Sequence, residues 1–309
     1  MIQNPNKDLA ISTLWGGAVA DAIGNPLEFR SLVLSADVDK VLASGVLHPS
    51  DDTQMTLFNY EALLHGWSPK DAAVSWYGTQ RRPFKKQTAP KTGLLSFPTM
   101  YRVEAPGNTC MASCASLSVG APVTNDSKGN GTVMRAAPFA VMAYLRGQAD
   151  EMAFLGAKED AEMTHKHPAA ALSSVALASI LLNLFRGTPL PVAVLQGLHV
   201  CGHGGLLDVV SSMHKYTTYS ELRSQGRAGW IAEEALALAI GANLHAPQTY
   251  KDIVSAACTG ISVDSDTVAG IAGTIAAARG MPATPELCKR LYSADAIQYI
   301  DGLIRNLSE

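Results

Sequence analysis

Two short runs place more acid at a helix start than a helix start needs. Ser50-Asp51-Asp52-Thr53 follows His48-Pro49 and precedes a long apolar segment, and Asp264-Ser265-Asp266-Thr267 opens a segment rich in Ala and Gly. One Asp or Ser at such a position accepts hydrogen bonds from free backbone N–H groups and complements the helix dipole. Further carboxylates repel one another unless a cation neutralises them. Ser50, Asp51, Asp52, Asp264, Asp266 and Thr267 offer only oxygen donors, four of them anionic. That set suits octahedral Mg2+ or Mn2+ rather than zinc or copper. Glu28, in Gly24-Asn-Pro-Leu-Glu28, can complete it, and the five carboxylates would balance roughly two divalent ions.

Such acids need a rigid frame, and the chain reads as helical almost throughout. Apolar residues recur at three- and four-residue spacing over residues 8–22, 53–64, 69–77, 132–145, 168–185, 229–240 and 267–279. Strand signals are few. Pro and Gly mark the joints, for example at Pro49, Pro69, Pro106-Gly107, Pro168 and Pro282. No stretch between them has the composition of a linker, and no internal repeat stands out, so residues 1–309 read as one all-α domain. Ala and Gly inside the helices, as in Ala232-Glu-Glu-Ala-Leu-Ala-Leu-Ala-Ile-Gly241, let helices approach closely and predict a large multi-layer helical bundle.

Composition narrows the function classes. With 24 Lys+Arg against 27 Asp+Glu the formal charge is −3, which argues against an electrostatic nucleic-acid binder. A chain that is 47% hydrophobic and 17% charged can bury a large core, and disorder is excluded. The apolar run at residues 169–185 is broken by Ser173, Ser174, Ser179 and Asn183. It falls short of the roughly 20 residues of a bilayer span and reads as a buried helix. Residues 1–7 are polar and carry no secretion-signal pattern, so a cytoplasmic protein without membrane contact is expected. The five cysteines form no C-x-x-C pair, and Cys110 and Cys114 read as small buried thiols.

The acid runs belong to a longer series. It consists of Gly17-Ala-Val-Ala-Asp21-Ala-Ile-Gly24-Asn-Pro26-Leu-Glu28, Ser50-Asp51-Asp52-Thr53-Gln-Met55-Thr, Pro106-Gly107-Asn-Thr109, Gly129-Asn130-Gly131-Thr-Val-Met134-Arg135-Ala-Ala-Pro138, Thr164-His165-Lys-His-Pro168 and Asp264-Ser-Asp266-Thr267. In this order the series resembles the ADP-ribosylglycohydrolases, the family typified by dinitrogenase-reductase-activating glycohydrolase and the ADP-ribosyl-acceptor hydrolases. The resemblance implies an all-helical fold with a binuclear Mg2+ or Mn2+ centre that removes ADP-ribose from modified acceptors. It also places Glu28, Ser50, Asp51, Asp52, Asp264, Asp266 and Thr267 on the family's metal-binding positions. Two departures add bulk near the site and bear on substrate fit: Ala20 and Val263 stand where relatives often carry Gly.

The implied reaction breaks a glycosidic bond at the anomeric carbon of ribose through an oxocarbenium-like state. The site must therefore orient the ribose diol, deliver water and manage one proton. Glu28, Asp51 and Asp266 are the catalytic candidates for that proton, and Glu28 doubles as a gate if it leaves the metal to admit substrate. Gly107, Asn130 and Gly131 lie on glycine-bearing loops whose backbone N–H groups can meet the diphosphate. His165 is the histidine placed to hold diphosphate or ribose. Arg135 reads as structural, His203 as part of a glycine loop, and Trp76, Tyr77, Tyr101 and Trp230 as packing residues. The favoured substrate is ADP-ribosylated arginine on a protein. An immunity-type protein that binds and neutralises an ADP-ribosyltransferase is the alternative, with or without hydrolysis. A third reading, another binuclear hydrolase such as a nucleotide phosphohydrolase, has no His-Asp dipeptide in its support.

Overall fold

The computed structural model describes residues 5–201, 228–246 and 249–307. Its helices are α1 (Lys7–Gly24), α2 (Ser35–Ala43), α3 (Asp51–His65), α4 (Pro69–Arg81), α5 (Asn108–Ser118), α6 (Ala137–Leu145), α7 (Asp150–Thr164), α8 (Pro168–Phe185), α9 (Leu190–Cys201), α10 (Ala232–His245), α11 (Tyr250–Cys258), α12 (Ser265–Ala278), α13 (Pro285–Lys289) and α14 (Ala294–Arg305). The fold is all-α. Among the described residues the strands are β1 (Leu32–Val33) and β2 (Gly260–Ile261), an antiparallel pair with Leu32 opposite Ile261 and Val33 opposite Gly260. Short as it is, this pair ties the segment after Glu28 to the segment before Asp264.

The packing that matters for the site is α1 against α12, the most extensive helix pair among the described residues. Glycine makes it possible. A β-carbon on Gly16 would lie 2.8 Å from the Gly273 carbonyl oxygen, and one on Gly24 would lie 2.3 Å from the Ser265 carbonyl oxygen. Neither contact would survive a side chain, so the two backbones touch because those positions have none. Ser265 Oγ then donates to the Gly24 carbonyl at 2.9 Å, fixing the end of α1 on the start of α12. Residues far apart in sequence thereby share one corner of the bundle.

Helix α8 runs through the interior with most of its residues buried, as the interrupted apolar run predicts, and packs on α7 and α9. Two expected boundaries move. The segment at 132–145 is divided into a 3₁₀ turn, Val133–Arg135, and α6, because Pro138 has no N–H and is tolerated only in a first helical turn. The segment expected at 229–240 starts instead at Ala232 and continues to His245, since Gly229 sits at φ +91, outside helical space. The thiols of Cys110, Cys114, Cys201 and Cys258 are free and buried, and Cys288 is half-buried. His203 lies outside the described residues.

Candidate active site

Asp21 is where the site begins. It projects from the last turns of α1 and is 1% exposed, and its carboxylate accepts from the Ser50 N–H at 3.0 and 3.1 Å and from the Thr53 N–H at 3.1 Å. The Thr53 hydroxyl donates to the same carboxylate. Ser50 Oγ accepts from the Asp52 N–H at 3.2 Å, and the Asp51 N–H donates to the Glu104 carbonyl at 3.1 Å. The free amides at the start of α3 are thus satisfied by Asp21, Ser50 and a loop carbonyl. Asp51 and Asp52 do no capping, so their carboxylates are available for something else.

The second acid run is held differently. Asp266 Oδ1 accepts from the Thr267 N–H at 2.9 Å at the start of α12. Asp264 Oδ2 accepts from Asn130 Nδ2 at 2.8 Å, and the same amide group donates to the Gly229 carbonyl at 2.8 Å. Glu28 reaches the pair from the turn after α1, and oxygens of Glu28, Asp264 and Asp266 lie within 4.8 Å of one another. Phe29, Ala105 and Ser262 are the non-glycine residues with positive φ among the described residues, at +63, +49 and +46. All flank these acids. Sparsely populated backbone conformations persist where surrounding structure imposes them, and here they cluster around one site.

One cavity of about 290 Å³ gathers Glu28, Asp51, Asp52, Asp264, Asp266 and Thr267, together with Gly107, Asn130, Gly131 and His165. No Lys or Arg lines it among the described residues. Burial, followed by repulsion from Asp266, pushes Glu28 up to about 9 and Asp21 up to about 7. The same causes raise Asp51, Asp52 and Asp264 well above the usual carboxylate range. Glu28 Oε2 and Asp264 Oδ1 are buried with no hydrogen-bond partner among the described residues. Crowded carboxylate oxygens, two of them orphaned and none sharing the cavity with a basic side chain among the described residues, fit a bound hard cation.

The same cavity is lined by a neutral imidazole. His165 is 2% exposed, and its Nδ1 lies 2.9 Å from Thr164 Oγ1, which accepts from Arg135 Nη2 at 2.8 Å. The Thr164 hydroxyl has two acceptors in reach, Nδ1 and the Ala161 carbonyl at 3.5 Å, so either tautomer of the ring satisfies the contact. Burial and the Arg135 charge push the imidazole down to about 3, so it stays neutral. Arg135 in turn is locked by Asp160 at 2.8 Å, with both side chains almost fully buried. Arg135 is thus paired within the core and does not line the cavity.

The arrangement of motifs along the chain can now be compared with known proteins. The model of the ADP-ribosylglycohydrolase family matches residues 3–309. The chain belongs to the ADP-ribosylglycohydrolase family. Proteins of this family are hydrolases that release ADP-ribose from modified acceptors, and they are generally dependent on divalent metal. No curated protein matches the chain. Among solved structures, an "ADP-ribosylglycohydrolase-related protein complex" is similar with a TM-score of 0.69 at 23% identity, over 97% of this chain and 98% of that one. At that identity the likeness shows the fold.

As an ADP-ribosylglycohydrolase the chain keeps most expected residues together and corrects several expectations. Ser50 does not line the cavity; its hydroxyl lies beneath, on the α3 cap. The glycine loop does not offer all its amides: the Gly129 N–H is given to Ser127 Oγ at 3.3 Å and the Asn130 N–H to the Trp230 carbonyl at 3.4 Å. Glycine at 129 and 131 instead makes room for His165, whose ring would lie 3.2 Å from a β-carbon at either position. Gly107 lines the cavity at the cap of α5. Ala20 and Val263 are buried in the core and do not line the cavity, so their bulk does not narrow it. Of the four aromatics, Trp230 alone lines the cavity, stacked on Phe29 with ring centroids 5.5 Å apart. Asp21 had no assigned role in the sequence reading, although its motif was visible.

Proposed function

We propose that this chain is a metal-dependent hydrolase that removes ADP-ribose from a modified acceptor, with ADP-ribosylated arginine on a protein as the favoured substrate. The observation that carries the reading is the convergence of Glu28, Asp51, Asp52, Asp264 and Asp266 on one cavity with no basic side chain lining it among the described residues. Residues 1–309 are taken as one catalytic domain, since a continuous buried core joins α1, α3, α8, α10 and α12.

Glu28, Asp51, Asp52, Asp264, Asp266 and Thr267 would hold two divalent ions, Mg2+ or Mn2+, with Ser50 beneath them. Bound there, the ions would neutralise the acids and polarise the ribose diol and a water. Asp51 and Asp52 stand ready for that work because Asp21 and Ser50 take over the helix cap. Glu28 lies half-buried on a turn beside the strained Phe29, placed to give or take a proton at the bond that breaks and to move as substrate enters. Asp51 and Asp266 are the other carboxylates placed to serve as base. His165, in its Nε2–H tautomer, would present an uncharged donor to diphosphate or ribose oxygen, beside the remaining Gly131 amide. The Phe29–Trp230 pair at the mouth offers an aromatic face to the adenine.

Incubation of the purified chain with ADP-ribosylated arginine and Mg2+ or Mn2+ tests the reading, with EDTA and Asp51→Ala plus Asp52→Ala as controls. Free ADP-ribose whose release both controls abolish supports it. Tight binding of an ADP-ribosyltransferase without release would favour the immunity-type alternative. Phosphate or nucleotide products would overturn the glycohydrolase assignment.

A further inference from the structure

Behind the acids lies a second, smaller cavity of about 30 Å³, bounded by α1, α3 and α12. It shares Asp52 and Met134 with the larger cavity, so the Asp52 carboxylate stands between the two. Polar side chains interrupt its largely apolar walls: Asp21, Asp52, Thr53, Thr56, Tyr60 and Thr274 line it alongside Leu14, Ala18, Met134 and Ala137. Asp52, Thr56 and Tyr60 are spaced at i, i+4 and i+8, so they form one polar stripe down the inner face of α3.

Tyr60 is the unexplained member. Its side chain is fully buried, and its hydroxyl finds no hydrogen-bond partner among the described residues. Buried hydroxyls are rarely left in that state without an ordered water to meet them. The neighbouring oxygens can share one. Thr56 Oγ1 makes only a long bond, 3.3 Å to the Met134 carbonyl, and Thr53 Oγ1 donates to Asp21 while keeping its acceptor sites. A water needs about 10–15 Å³ of such space and two to four polar neighbours, so the chamber holds about two.

We propose that Tyr60 is a positioning residue for Asp52 and acts through ordered water held in this inner chamber. The Tyr60 O–H donates to the water and the water donates to the Asp52 carboxylate, fixing the carboxylate's direction from behind while its front faces the larger cavity. The inference rests on the reading of that cavity as a metal centre. Such outer partners typically alter metal affinity by about 10–100-fold.

A high-resolution crystal structure and a Mn2+ titration of the full chain test it together. Ordered water within hydrogen-bond distance of both Tyr60 Oη and Asp52 is expected. Tyr60→Phe, which keeps the ring and removes only the oxygen, should lose that water and bind Mn2+ about 10-fold more weakly with its melting temperature preserved. Thr56→Val, on the same wall, should produce a smaller loss and serves if the Phe variant folds poorly. A dry chamber, or variants that bind Mn2+ as the parent does, would overturn the role of Tyr60. Failure of the underlying reading looks different: Asp51→Ala plus Asp52→Ala would then bind Mn2+ as well as the parent, whatever Tyr60 does.

Discussion

Two of the places where the described residues bury charge are treated in opposite ways. Arg135 and Asp160 pair at 2.8 Å, Thr164 Oγ1 and the Gly131 and Asp160 carbonyls take further guanidinium donors, and Asp160 Oδ1 is buried without a hydrogen-bond partner among the described residues. Burial works against the Arg135 charge, yet Asp160 raises its pKa overall. In the cavity, Glu28, Asp51, Asp52, Asp264 and Asp266 have no basic partner among the described residues that line it. A balanced pair explains itself within the protein. An unbalanced cluster points outward, to something the protein binds.

The contrast can be broken first at the acids. Asp51→Ala plus Asp52→Ala should cut ADP-ribose release by at least about 10²–10³-fold, measured as turnover at saturating metal. The folded, metal-free protein should not be destabilised, because the change removes repulsion. A variant that unfolds instead would make these acids structural.

Next comes the balanced pair. Arg135→Met leaves Asp160 buried without its counter-charge and should cost about 3–5 kcal/mol in denaturant unfolding. If the loss is confined to activity with stability intact, Arg135 belongs to the site and the contrast fails.

The pH dependence of stability separates the two regions further. The acids whose folded pKa is raised bind more protons folded than unfolded, so their contribution to stability falls as pH rises. In EDTA the melting temperature should drop from about pH 4 through about 7, where Asp21 ionises, to about 9, where Glu28 does. Added Mg2+ or Mn2+ should recover most of the loss at the upper end. A metal-free protein that gains stability over this range would contradict the crowding of its acids.

The smallest effect concerns the bridge between the regions. Thr164→Val removes the hydroxyl that joins Arg135 to His165. KM should rise by about 10-fold, the worth of one hydrogen bond, with kcat little changed. An unchanged KM would detach His165 from the substrate.

The sequence exposed these regions unequally. The acid runs were legible because they exceed what a helix cap requires, and α8 was legible because an apolar stretch follows Pro168. Asp21 was not, since the partners of its carboxylate are amides of another helix and no spacing reveals a remote cap. Nor does any spacing reveal that Ser127 and Trp230 take the Gly129 and Asn130 N–H groups of the glycine loop. Helix α7 escaped the periodicity reading because what it buries is Ala153, Ala157, Asp160, Ala161 and Thr164, small or polar residues that make no apolar stripe. Helix α14 carried one at Ile297, Ile300 and Ile304 that could have been found. The strands, at two residues each, are below what any pattern detects.

Anomalous diffraction from crystals grown with Mn2+ tests the central claim most directly. The expected map has two peaks among Glu28, Asp51, Asp52, Asp264 and Asp266, both lost in the Asp51→Ala plus Asp52→Ala variant. A map with no peak in that cavity, at Mn2+ concentrations that support turnover, would contradict the account.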